Sequence, residues 1–221
     1  MVLIIPSYGM QIPEGDLAER FGPNSNLGLS IIYKNKSRWF LSAEGNFIFG
    51  NKIKEPGLYS QLTTERGFII GSDGLYADIR DFQRGYYVTL SAGRLFPAGK
   101  PNPNSGFFLQ AGAGFLQHKI NIQDKKNAVP ALQGEYVKGY DRLTNGFMLK
   151  EMAGYLYTGN TRLINFYAAV EFVQGFTKNR RDFNFNEMQQ DNRSRVDLLF
   201  GVRLGWMMPL YKQAPDKFYI Y

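Results

Sequence analysis

Apolar residues alternate with small or polar ones in eight stretches of this chain, at about 2–13, 25–34, 38–49, 85–96, 106–122, 146–157, 162–177 and 194–208. A period of two predicts strands with one apolar face. The last stretch shows it most fully: Val196, Leu198, Phe200, Val202, Leu204 and Trp206 share one parity, while Arg195, Asp197, Gly201, Arg203 and Gly205 share the other. In the fifth, Phe107, Leu109, Ala111, Ala113 and Phe115 oppose Gln110, Gly112, Gly114 and His118. The connections alternate as well. Long polar segments (14–24, 50–84, 123–145, 178–193) take turns with brief ones (35–37, 97–105, 158–161). This predicts an all-β fold, an eight-stranded antiparallel up-and-down transmembrane β-barrel. Its long loops would be extracellular, and its short turns and both termini periplasmic.

No apolar run approaches the ~20 residues a transmembrane helix needs. The slightly negative mean hydropathy still suits a barrel, because half of each strand faces a polar interior. Aromatics are 15% of the chain, with 18 Phe and 14 Tyr. With the first strand ascending, Tyr33, Trp39, Phe40, Phe96, Phe107, Phe108, Tyr155, Tyr157, Phe166, Tyr167 and Trp206 gather near the periplasmic end. Phe47, Phe49, Tyr86, Tyr87, Phe115, Phe147 and Phe176 gather near the outer one, giving the two belts that bilayer interfaces favour. A soluble ligand-carrying barrel would want a greasy interior, and the charges on the less apolar face argue against it.

The 221 residues are read as one barrel over 1–208 and a short periplasmic tail over 209–221, too short for a wall-binding domain. The start, Met1 to Tyr8, lacks the basic flank of a secretory signal, so the numbering is expected to begin after a removed one. The net charge of +7 is spread over loops and turns, with no element to organise it for nucleic acid.

The inward charges are the first candidate for chemistry. Glu44, Glu151, Glu171 and Arg203 are expected to form a lumen network, with Asp197, Arg195 or Lys150 as further members. Lys150 and Glu151 are neighbours and must face opposite ways; Glu151 is placed inward, with Lys150 snorkelling or a bulge breaking the register. The carboxylates then outnumber the cations, so one Glu is expected to be protonated or to face trapped water. Because an eight-stranded barrel is barely wide enough for its own side chains, the network is read as packing rather than as an ion path. Strand glycines such as Gly28, Gly45, Gly112 and Gly205 are expected to relieve crowding. Arg94 faces outward near the periplasmic end, where an exposed cation costs little.

The single histidine, His118, is read as a rim residue bonding loop backbone. Ser72, Asp73 and Asp124 are imaginable partners in a triad, but no spacing supports one. One histidine and no cysteine offer no metal site, and no catalytic residue or cofactor is predicted. In the loops, Lys178, Arg180 and Arg181 form a possible external binding patch for lipopolysaccharide phosphates or an acidic partner. Apolar loop segments at 68–70 and 75–79 are candidates for folding or docking.

Ile5-Pro-Ser-Tyr8, Gly139-Tyr-Asp-Arg142 and Gly201-Val-Arg-Leu-Gly-Trp206 sit in strands and loops rich in Tyr, Asn and Lys. In this style and in architecture the chain resembles the small OmpX/OmpA-like outer-membrane barrels, most closely uncharacterised ones of Bacteroidota. The resemblance implies a non-catalytic barrel, an accessory subunit of a larger assembly of the barrel-assembly or secretion type. Its partners would be outer-membrane lipid, lipopolysaccharide and other outer-membrane or surface proteins. A free-standing structural or adhesive barrel is the alternative. A lipid-modifying enzyme built on His118 is a remoter one.

Overall fold

The structure, a computed structural model, describes residues 2–98, 104–159 and 164–210. Eight long strands form the ring: β1 (Val2–Gly15), β2 (Asn24–Lys34), β3 (Trp39–Gly50), β4 (Ile79–Pro97), β5 (Gly106–Asp124), β6 (Thr144–Thr158), β7 (Asn165–Asn179) and β8 (Ser194–Trp206). Each pairs antiparallel with the next, and β1 pairs with both β2 and β8, so the sheet has no open edge. Closure is what lipid demands, since it offers no partner to an unpaired backbone group. After Met207 the chain resumes as β9 (Met208–Leu210), which continues the pairing with β1 down to Val2↔Leu210. Ladder pairing therefore runs past position 208. Of the tail expected at 209–221, residues 211–221 lie outside the described residues.

Strand positions match the hydrophobic pattern closely. The largest difference is β4, which begins at Ile79 instead of 85, because β5 also runs on to Asp124 and the two pair over the whole length, from Ile79↔Asp124 to Pro97↔Gly106. This hairpin projects beyond its neighbours at the long-loop end.

The alternation sorts side chains as a membrane barrel requires. Outward apolar residues such as Leu29, Ile31, Leu41, Leu90, Val202 and Leu204 are exposed, while their neighbours in sequence point into the lumen. Belts of rings survive with a correction. Trp39, Phe96, Phe107, Tyr157, Phe166 and Trp206 face out at the short-turn end, and Phe47, Tyr86, Phe147 and Phe176 at the other. Phe40, Phe108, Tyr167 and Tyr87, expected in the belts, are buried inside. Strand parity decides this: each is adjacent in sequence to an outward residue.

Inside, the lumen is filled in layers. Leu3, Ile5, Leu95, Met152, Ala169 and Met207 close the short-turn end together with Phe40, Phe108 and Tyr167. A polar and ionic layer follows. Above it lies a second apolar cluster of Ile48, Leu116, Ile120, Met148, Val173 and Leu199, joined by loop residues Leu17, Phe21, Leu58, Val129, Leu132 and Tyr140. The loops are thus part of the core, because the barrel mouth presents apolar surface that they cover.

Candidate functional site

The central layer is organised around Arg203 on β8, which is fully buried. Its Nε donates to Glu171 Oε2 at 2.8 Å and its Nη2 to Glu171 Oε1 at 3.1 Å. Nη1 reaches Ser7 Oγ at 3.0 Å and Asn46 Oδ1 at 2.5 Å; Nη2 reaches Asn26 Oδ1 at 2.8 Å and also the Tyr87 hydroxyl. Glu44 lies 3.2 Å from Nη1. The acceptors come from β1, β2, β3, β4 and β7, so one guanidinium ties most of the ring together. Gly28 makes room for it: a Cβ there would lie 2.2 Å from Asn46 Oδ1 and 2.8 Å from Arg203 Nη1. Gly45, expected to relieve crowding as well, faces outward with nothing near its missing Cβ.

Lys150 corrects the expected network. It is buried, donates to Glu44 at 2.6 Å and lies 3.3 Å from Glu171. Glu151 points outward from the wall and accepts from the Gln174 amide at 3.2 Å. No bulge intervenes; Met148, Lys150 and Met152 simply share the inward parity. The expected surplus of carboxylates disappears, because Glu44 and Glu171 are matched by Lys150 and Arg203. An unmatched ion in a sealed lumen would cost several kcal/mol. A carboxylate on the lipid face costs less than the roughly 2–4 kcal/mol of a basic residue at the same depth.

Asp197 also leaves the expected network. It is buried nearer the long-loop end, where its Oδ2 lies 2.8 Å from His118 Nε2 and accepts from Thr177 Oγ1 at 2.6 Å. His118 is a fully buried lumen residue with the Phe21 ring edge-on at 5.5 Å, not a rim residue bonding loop backbone. The envisaged triad partners are engaged elsewhere: Asp73 receives the backbone N–H of Leu75, and Asp124 those of Lys126 and Val129.

The long loops form an ordered cap. The short helix α1 (Asp16–Arg20) drops Leu17 into the mouth, and Asp16 receives the N–H of Val196 at 2.7 Å. Arg20 pairs with Glu55 at 3.2 Å and Asp191 at 3.4 Å; Arg142 pairs with Glu55 at 3.1 Å and Glu187 at 3.2 Å. All four loops are joined by these ion pairs. Of the expected external patch, Arg181 is committed to Asp141, with its Nε at 2.7 Å. Lys178 is exposed at the end of β7 and not in a loop; Arg180 is exposed and donates to Asn145 at 2.6 Å. Burial by itself would raise the Asp191 carboxyl, but hydrogen bonds from Arg195 and the Arg193 backbone, with Arg20 nearby, hold it below its ordinary range.

No protein family matches the chain, and no curated protein is significantly similar to it in sequence. Solved structures resemble it in fold. Neisserial surface protein A superposes over 91% of this chain and 95% of that one, at 12% identity and a TM-score of 0.50. The attachment invasion locus protein Ail of Yersinia pestis covers 94% of this chain and 97% of its own at 12% identity, with a TM-score of 0.46. OprG from Pseudomonas aeruginosa covers 95% and 96% at 13% identity, with a TM-score of 0.45. At such identities the likeness concerns the fold. A closed eight-stranded ring, a lipid-compatible wall and two aromatic belts define a small integral β-barrel of the outer-membrane type.

Arg203→Met removes the centre's main donor and leaves Glu171 and Glu44 with Lys150 alone. We expect a loss of about 3–5 kcal/mol, as for other broken buried pairs, read as a lower midpoint in heat-modifiable electrophoretic mobility. Glu151→Gln should leave that midpoint of the isolated barrel unchanged. The cap should be acid-sensitive. Asp191 contributes stability above its unfolded value, about 3.9, and loses it as pH falls through the lower folded value. Proteolysis of the loops should therefore accelerate below about pH 4, and Asp191→Asn should accelerate it already at neutral pH.

Proposed function

We propose that this chain is a non-conducting, non-catalytic outer-membrane barrel that works through its surfaces, as an accessory subunit of a larger assembly. The observation carrying this reading is the filled lumen. An apolar plug, an ionic layer and a loop-capped apolar cluster follow one another along the axis. The cavity between the ionic layer and the apolar plug, lined mainly by Leu3, Ile5, Phe40, Leu95 and Phe108 with Ser42 and Glu44 on one side, measures about 30 Å³, too small for a solute path. A solute path needs a continuous opening, so the cap and the wall are left as the working faces. The long loops are taken as extracellular and the termini as periplasmic, in line with the usual asymmetry of loop length. The OmpX-like plan and Tyr/Asn/Lys-rich strands support a Bacteroidota envelope as its setting.

The outward face just above the upper belt supports contact with lipopolysaccharide. Arg84 and Lys119 are directly opposite across β4 and β5, with Lys119 also 3.9 Å from Asp141; Lys178 stands at the end of β7 and Arg180 just beyond it. Like charges so placed repel, and a lipid phosphate between them relieves the repulsion.

Reconstituted into planar bilayers, the purified chain should show no discrete conductance steps. Steps that Arg203→Met leaves unaltered would mean that the lumen, as described, is not the barrier. Extracted from native membranes in mild detergent, the chain should migrate with stoichiometric partners that survive a salt wash. A lone monomer of about 25 kDa would favour a free-standing structural or adhesive barrel instead.

A further inference from the structure

The wall of the barrel is chemically lopsided. On β1, β2 and β8 its middle rows carry large side chains, among them Ile12, Leu29, Ile31, Val202 and Leu204. On β3 to β7 seven outward positions hold alanine or glycine instead: Ala43, Gly45, Ala92, Ala111, Ala113, Ala153 and Ala168. Ala92, Ala111 and Ala153 line a shallow depression of about 590 Å³, and Glu151 lies in it. Lipid gains little from small side chains, whereas membrane-embedded proteins pack through them and use polar groups to hold the contact.

Glu151 lies at mid-depth. On β6 it is four residues from Phe147 of one belt and four from Tyr155 of the other. At ~3.4 Å per residue and a tilt of ~40°, that is roughly 10 Å from either belt. Its hydrogen-bond partner is a neutral amide, Gln174, on the same wall. Among the described residues no cation pairs with it; Arg94 lines the same depression one row nearer the lower belt, but its guanidinium is turned to the rings of Trp39 at 5.5 Å and Phe96 at 5.6 Å.

We propose that the β4–β7 wall docks a membrane-spanning partner chain that brings a lysine or arginine to Glu151. The proposal rests on the accessory-subunit reading and names the face that serves it. Two copies of this chain side by side in one membrane are related by an axis along the membrane normal, so equal depths meet and Glu151 would find no cation. Acyl chains supply none either. An intramembrane carboxylate that the fold answers only with a neutral amide is best explained by a partner that brings the charge.

The test places a photo-crosslinking phenylalanine derivative at Ala111 or Ala153, and at Ile31 on the opposite wall as a control, in the full chain in its native membrane. We expect one partner to be captured from Ala111 and Ala153 and none from Ile31, with the crosslinked peptide falling in a membrane-spanning segment that contains Lys or Arg. Glu151→Gln should reduce the partner retained after a salt wash at least ~10-fold, the scale of a desolvated charge pair. In lipid nanodiscs without the partner, Glu151→Leu should raise the unfolding midpoint, the opposite of what a structural carboxylate would do. Crosslinks to lipid alone, to a second copy, or to a segment without a cation would overturn the proposal. So would full retention by Glu151→Gln. If a stoichiometric partner is retained but is captured only through the loops, this docking face is wrong and the subunit reading stands; if the chain is solitary, both fall.

Discussion

A buried guanidinium is the constraint on which the interior depends. Arg203 sits where water cannot replace a missing acceptor, so its donors must find partners among side chains that the ring brings together. Serine, asparagine, tyrosine and carboxylate groups from five strands answer it, and Gly28 is bare so that they can approach. Slipping a strand by one residue would turn its acceptor outward and bring a lipid-facing apolar side chain in. The ionic centre therefore specifies register as well as filling space, and Lys150 completes it by balancing the second carboxylate.

The same logic extends to the loops. A short barrel with a filled lumen ends in apolar surface at its mouth, and four long loops fold down over it. Their charges are spent on one another: Arg20 and Arg142 share Glu55, and Arg181 takes Asp141. What remains free to meet other molecules is a smaller set than the net charge suggests. Arg84, Lys178 and Arg180 lie on the outside beyond the belt of rings at the long-loop end, while Lys119 lies 3.9 Å from Asp141 of the cap.

With the interior sealed and the cap ordered, the wall is where the chain departs from what lipid requires. A barrel made only to sit in a bilayer would be uniformly large and apolar in its middle rows. Here β1, β2 and β8 are so, while β3 to β7 interpose alanines, a glycine, a carboxylate and an amide.

The sequence by itself determined the eight strands, their alternating connections and the faces of most of them. Period-two patterning is a local property, and lipid enforces it strand by strand. It also marked Glu44, Glu171 and Arg203 as an inward cluster. It did not place Lys150 and Glu151, because two adjacent charges look equivalent until their strand is counted from the flanking aromatics; Phe147 and Tyr155, both outward, share the parity of Glu151 and would have settled it. It also sent Asp197 to the wrong partner and left His118 at the rim, since strand tilt and stagger decide which inward residues share a level. Only the closed ring brought His118 and Asp197 together, knitted the loops into a cap and showed that the wall has two unlike halves. Those are distances across the barrel and around it, and no spacing along a strand encodes them.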